Sequence, residues 1–105
     1  MTPPNPPSYR DKHLYVDLRQ QLVMLDGEAV RLTSMQYRLL AVLVEHAGVV
    51  VTRPILLLHI WGNVPELRPS KLDGHIRELR KRLGIYSGHY IETVVGVGYR
   101  FRPGP

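Results

Sequence analysis

Apolar and polar residues alternate along Leu14, Val16 and Leu18, and again at Val23 and Leu25 after a break at Gln20-Gln21. A period of two marks a strand with one buried face. The Asp26-Gly27 pair suits a two-residue hairpin turn in which both positions take positive φ. A third short strand is expected from Glu28 to Leu32, so the whole stretch reads as a small antiparallel meander.

The period then changes. Leu39, Leu40, Leu43, Val44 and Ala47 fall on one helical stripe. Thr33, in front of them, can accept a hydrogen bond from the amide of Gln36, whose side chain can reach back to complete a capping box. Leu32 and Tyr37 stand at the positions of a hydrophobic staple, and Gly48 suits the left-handed residue that closes a helix. A second helix is predicted from about Thr52, with Pro54 in its first turn, where a missing N–H does no harm. It carries Ile55, Leu56, Leu58, His59 and Trp61, stops at Gly62, and is followed by a loop from Asn63 to Pro69. The third helix is predicted from about Ser70 to Leu83. Tyr90 to Phe101 is β-branched and aromatic around Gly96 and Gly98, and reads as two strands joined by a glycine turn. Leu57, Ile60, Trp61 and Ile85 are expected in or at the edge of the core, with Tyr99 and Phe101.

Charge sharpens this picture. The chain carries 14 Lys and Arg against 9 Asp and Glu, a net +5. Between residues 68 and 82, Arg68, Lys71, Arg77, Arg80, Lys81 and Arg82 face only Asp73 and Glu78, a local net charge of +4. At 100° per residue, Leu72, Ile76, Leu79 and Leu83 lie within about 60° of one another and form the buried stripe. The opposite side shows Ser70, Gly74, Arg77, Glu78 and Lys81, flanked by Lys71, His75, Arg80 and Arg82. A helix anchored by one stripe and cationic on the other suits entry into a DNA major groove. Preceded by a short helix and a loop and followed by a hairpin, it gives the order of a winged helix-turn-helix.

Four segments carry a family resemblance. They are VMLDGEAVRLTSMQYRLLAVLVEHAG (23–48), VVTRPILLLHIWG (50–62), LDGHIRELRKRL (72–83) and YIETVVGVGYRF (90–101). In order and spacing the chain resembles the DNA-binding output domain of OmpR/PhoB-type bacterial response regulators over roughly residues 14–102. The resemblance implies an α+β fold: a winged helix-turn-helix with a four-stranded N-terminal antiparallel sheet, three helices and a C-terminal β-hairpin wing. It implies a sequence-specific transcriptional regulator domain without catalytic activity, cytoplasmic and nucleoid-associated. The third helix would sit in the major groove and the wing on the adjacent backbone. Carried over by position, the DNA contacts are Arg68, Ser70, Lys71, Gly74, His75, Arg77, Glu78, Arg80, Lys81, Arg82 and Thr93. Asn63, Val64, Glu66 and Leu67 fall on the loop that contacts RNA polymerase in the family. The implied partners are double-stranded DNA, as direct repeats bound by a weak or DNA-induced tandem dimer, and RNA polymerase. The chain departs from the pattern at Val95, where the wing usually carries Arg or Lys, at Ser70, often an Arg, and at Gly74, usually a side chain able to reach bases.

Within this frame Arg77 is the first choice for base readout, because its paired donors match guanine O6 and N7. Lys71, Arg80, Lys81 and Arg82 are expected on phosphates. His75 is read as a phosphate contact, Thr93 as either a phosphate contact or a residue that simply favours the strand, and Asp73 as orienting a neighbouring Arg or capping the helix start. Glu78 would repel phosphate yet could accept from a cytosine amino group.

The remaining chemistry is thin. There is no Cys, which removes disulfides, thiolate metal sites and thiol nucleophiles from these residues. His13, His46, His59, His75 and His89 lack ligand spacing, Glu45-His46 is not an HExxH, and Gly96-x-Gly98 lacks the third glycine of a dinucleotide site. No enzyme, cofactor or metal site is expected. The longest apolar runs, such as Ile55–Leu58, are far too short to cross a bilayer, so no membrane partner is expected either. Residues 1–13, with four of the nine prolines, are expected as a flexible tail or linker stump, and 103–105 as a second tail. The other reading is a winged-helix module that docks on a protein such as RNA polymerase without reading DNA.

Overall fold

The computed structural model describes residues 8–61 and 69–104. Strands β1 (Tyr9–Arg10), β2 (Leu14–Asp17), β3 (Leu22–Leu25) and β4 (Glu28–Ala29) form an antiparallel sheet in sequence order. Asp26 and Gly27 take φ of 50° and 83° in the turn between β3 and β4, the positive pair that this dipeptide accepts most easily. Helix α1 (Ser34–Glu45) starts at the expected box: Thr33 Oγ1 accepts from the Gln36 amide at 3.2 Å, and Gln36 Oε1 accepts from the Thr33 amide at 3.0 Å. Past its end Gly48 takes φ of 82° and its N–H donates to the Phe101 carbonyl.

Strand β5 (Val50–Thr52) leads into α2 (Arg53–Trp61), followed by α3 (Pro69–Arg82). A 3-10 turn (Gly84–Tyr86) and a one-turn helix α4 (Ser87–Tyr90) then lead to the hairpin β6 (Ile91–Val94) and β7 (Gly98–Phe101). β7 lies between β5 and β6 in a three-stranded sheet, with Val51 opposite Tyr99 and Thr52 opposite Gly98. The helices share one core: Leu39, Leu40 and Leu43 of α1 meet Leu56 and Ile60 of α2 and the full predicted stripe Leu72, Ile76, Leu79 and Leu83. These side chains are excluded from water, which orients α3 and leaves its polar face outward.

Several expectations change. Part of the stretch expected as a tail is sheet: Tyr9 pairs with Val16, and its ring meets Phe101 edge-on at 4.8 Å. At the other end the Gly104 N–H donates to Tyr9 Oη at 2.7 Å, so residue 104 is packed where a tail was expected. The strand expected over 28–32 is confined to Glu28–Ala29. Two short helical turns follow α3, where three helices alone were expected. Ile85, expected at the core edge, is 90% exposed. The 3-10 turn instead directs Tyr86 inward, where its ring stacks on His13 at 4.5 Å and its hydroxyl donates to Asp26 at 3.0 Å. Leu57 and Ile60 are partly and fully buried as expected, and the side chain of Trp61 lies outside the described residues.

The N-terminal sheet is tied to α4 through Asp11. Its carboxylate accepts from the amides of His13 and Leu14, both at 2.7 Å, from Tyr90 Oη at 3.0 Å and from Tyr9 Oη. Burial pushes the Asp11 pKa up, but these donors outweigh it and hold the carboxyl below its usual range. Burial first, and then the bond to Asp11, push the Tyr9 phenol up to about 12; the same causes raise Tyr90. A phenol whose pKa is raised on folding stabilises the fold below its ordinary pKa of 10.0, and that contribution disappears as pH rises through about 12. The denaturant midpoint should therefore fall between pH 10 and 12, together with the appearance of tyrosinate absorbance. A midpoint unchanged across that interval would contradict this role for the phenols.

Candidate nucleic-acid interface

Helix α3 presents Lys71, Arg77, Glu78, Lys81 and Arg82 to solvent, with Gly74 and His75 partly exposed beside them. Lys81 Nζ lies 3.2 Å from Glu78 Oε1, an exposed pair three residues apart that contributes at most about 0.5 kcal/mol. Among the described residues, Lys71, Arg77 and Arg82 have no acid within ion-pair distance. Their charge is directed to solvent rather than into the fold. Arg68 and the loop residues Asn63, Val64, Glu66 and Leu67 lie outside the described residues, as does the side chain of Ser70.

Arg80 turns elsewhere. Its Nε and Nη2 donate to the Ile91 carbonyl at 3.2 and 2.8 Å, and Nη2 also donates to Thr93 Oγ1 at 2.7 Å. The guanidinium carbon lies 5.6 Å from the centre of the Tyr99 ring. Arg80 thus fastens α3 to β6, and the Thr93 hydroxyl accepts that bond while remaining exposed. Asp73 completes a second fastening. It accepts from Arg53 Nε at 3.3 Å and Nη2 at 3.1 Å, and from the hydroxyl of Tyr99. Asp73 therefore does orient an arginine, one supplied by the start of α2. Burial first, and then the bond to Asp73, raise the Tyr99 phenol pKa, while the two arginines oppose the shift. The clasp locks α2, α3 and the hairpin into one frame, with both arginines at the face of a single ring.

The hairpin has a different character from the helix. Glu92 and Arg100, directly opposite each other in the ladder, form a two-pronged pair at 2.8–3.0 Å. At the tip Gly96 takes φ of 78°, Val95 is 89% exposed and Val97 45% exposed. The tip therefore offers apolar surface and no cation, which makes α3 the cationic element of this face.

A sequence profile of the family described as "Transcriptional regulatory protein, C terminal" matches residues 27–101. The chain belongs to this family. Among relatives in this OmpR/PhoB-type family, the phosphate regulon transcriptional regulatory protein PhoB of Pseudomonas aeruginosa is 36% identical over 88 residues, covering 84% of this chain and 38% of its own length. The cell cycle response regulator CtrA of Brucella ovis is 37% identical over 91 residues, covering 85% of this chain and 39% of its own. The chain thus spans about two-fifths of the curated relatives it matches. Among solved structures, the response regulator DrrB of Thermotoga maritima, an OmpR/PhoB homologue, superposes with a TM-score of 0.82 at 35% identity, over 91% of this chain and 44% of that one. The Klebsiella pneumoniae RstA DNA-binding domain, solved in complex with the RstA box, gives 0.80 at 32% identity, over 91% of this chain and 97% of that one. Family and architecture agree: an α+β winged helix-turn-helix with an N-terminal antiparallel sheet and a C-terminal hairpin wing.

Two arginines, one in the clasp and one in the hairpin, have partners that the sequence pattern does not reveal. Arg53 stands in the VTR segment at the start of α2, but helical periodicity gives no sign that it reaches α3. Arg100 looks like another basic residue of the wing until the register places it opposite Glu92.

Proposed function

We propose that this domain is the output domain of a two-component response regulator and binds double-stranded DNA sequence-specifically. Helix α3 enters the major groove and the wing lies along the adjacent backbone. The observation that carries the reading is the face of α3: four exposed cations, Lys71, Arg77, Lys81 and Arg82, opposite a stripe with no solvent exposure. Arg77 reads a base edge, with Glu78 beside it, and Lys71, His75, Lys81 and Arg82 meet phosphates. Arg80 and Thr93 hold the wing at its angle to the helix, and Thr93, still exposed, offers its hydroxyl to a phosphate. Arg68 and Ser70 are proposed as further DNA contacts. The relative RstA, solved on its own DNA box, supports the partner class.

Two copies occupy a direct repeat about one helical turn apart as a tandem, and the segment 63–67 meets RNA polymerase. The domain is non-catalytic and works on the nucleoid. Binding should be strongly salt-dependent: with about four to six phosphates neutralised per copy, log K falls with log salt at a slope of about −4 to −5. Titrating a labelled duplex at several salt concentrations measures this, and an affinity flat with salt would contradict it. The exposed valines of the tip favour a second reading, docking on a protein surface without DNA readout. A module of that kind would not retain a random duplex at low salt.

A further inference from the structure

Gly74 sits near the middle of α3, on the side opposite Leu72, Ile76 and Leu79. The described residues give no reason for a glycine there. Its φ is not in the left-handed range, and a Cβ built on it would meet nothing within 4 Å. Among the described residues no neighbouring element presses on this point, in contrast with Gly98, whose Cβ would run into the backbone of Val51 and Thr52. A glycine inside a helix is unfavourable relative to alanine, because it loses more backbone freedom on folding. The sequence therefore keeps a destabilising residue at a position where alanine would fit without contact.

What surrounds Gly74 indicates its use. Lys71 lies one turn before it, and Arg77 and Glu78 one turn after, all exposed and all on the face assigned to DNA. The missing side chain leaves a dent in the helix surface between these longer residues. A dent of this kind lets helix backbone come closer to a ligand than any side chain would permit.

Resting on the DNA-binding reading, we infer that Gly74 sets the depth at which α3 seats in the major groove and is thereby a specificity-determining position. With the backbone at residue 74 close against the base edges, the short reach of Glu78 and the fork of Arg77 come into register with the pairs beneath. A methyl group at 74 holds the helix away from the bases. Backbone phosphates, reached by long flexible lysines and arginines, remain accessible at the shallower position.

The test uses the full chain and Gly74→Ala, with a duplex selected by the unsubstituted protein and a random duplex of equal length. The unfolding equilibrium constant of Gly74→Ala should fall about fivefold, since alanine favours the helix. Affinity for the selected duplex should fall by about tenfold or more, on the scale of losing one good base contact. Affinity for the random duplex should stay within about twofold and the salt slope should not change. Gly74→Leu should lose more on the selected duplex than Gly74→Ala. Equal or tighter binding of the selected duplex by Gly74→Ala would overturn the depth role while leaving DNA binding intact. Failure of the unsubstituted chain to bind any duplex at low salt would overturn the DNA-binding reading itself, and the depth role with it.

Discussion

Substitution of Gly98 by alanine is expected to destabilise the domain by about 3 kcal/mol, at the upper end of ordinary overpacking. Gly98 opens β7 directly opposite Thr52 of β5. A Cβ there would overlap the Val51 carbonyl oxygen and approach Thr52 Cα to 2.9 Å and Val51 C to 3.0 Å. All three atoms are backbone, so no rotamer change relieves the contact, and the strands must separate. Val51, Tyr99 and Phe101 are all buried in this ladder, so separation also lets water reach the core. Chemical denaturation should show the lower midpoint. Loss of the β5–β7 cross-peaks in an NMR spectrum should show where the strain goes. A midpoint within about 0.5 kcal/mol of the parent, the range of an ordinary surface change, would contradict the close approach of the two strands.

The second large effect concerns DNA. Arg77→Ala should weaken binding to a preferred duplex by about 1–3 kcal/mol and flatten the preference between duplexes. Arg77 is exposed, lies outside the Arg80 and Asp73 fastenings, and has no acidic partner among the described residues. Its removal should therefore leave stability within about 0.5 kcal/mol. Lys81→Ala should weaken preferred and random duplexes alike and reduce the salt slope by about one. The Lys81–Glu78 pair has only a small part in this, since both side chains are well exposed. Parallel losses for both variants on both duplexes would remove the distinction between base readout and backbone contact.

The elements with strong local chemistry were legible in the sequence. Asp26-Gly27 prescribed a turn because few other dipeptides tolerate φ of 50° and 83° in succession. Thr33 and Gln36 prescribed the start of α1 through two reciprocal hydrogen bonds. The stripe Leu72, Ile76, Leu79 and Leu83 identified the buried side of α3, and the opposite side followed from geometry. Strands β1 and β5 were not legible: two or three residues are too few to show a period, and both exist because of partners distant in sequence. Ile85 went to solvent because Gly84, at φ of 60°, starts a 3-10 turn that gives the inward place to Tyr86.

The interface was legible in part for the same reason. Periodicity says which residues share a face, not which of them find partners on another element. Arg80 and Lys81 are adjacent in sequence and alike in charge, yet Arg80 bonds the wing and Lys81 stays exposed. Asp73 reads as a local orienting group, but its arginine comes from α2, twenty residues earlier in the chain.

Selection of bound duplexes from a random pool at two salt concentrations tests DNA readout most directly. Recovery at both concentrations of one motif, repeated in the same orientation with centres about 10–11 base pairs apart, is the predicted result. Retention at low salt alone, with no enriched sequence, would contradict base readout by α3 and leave only attraction of its cationic face to phosphate.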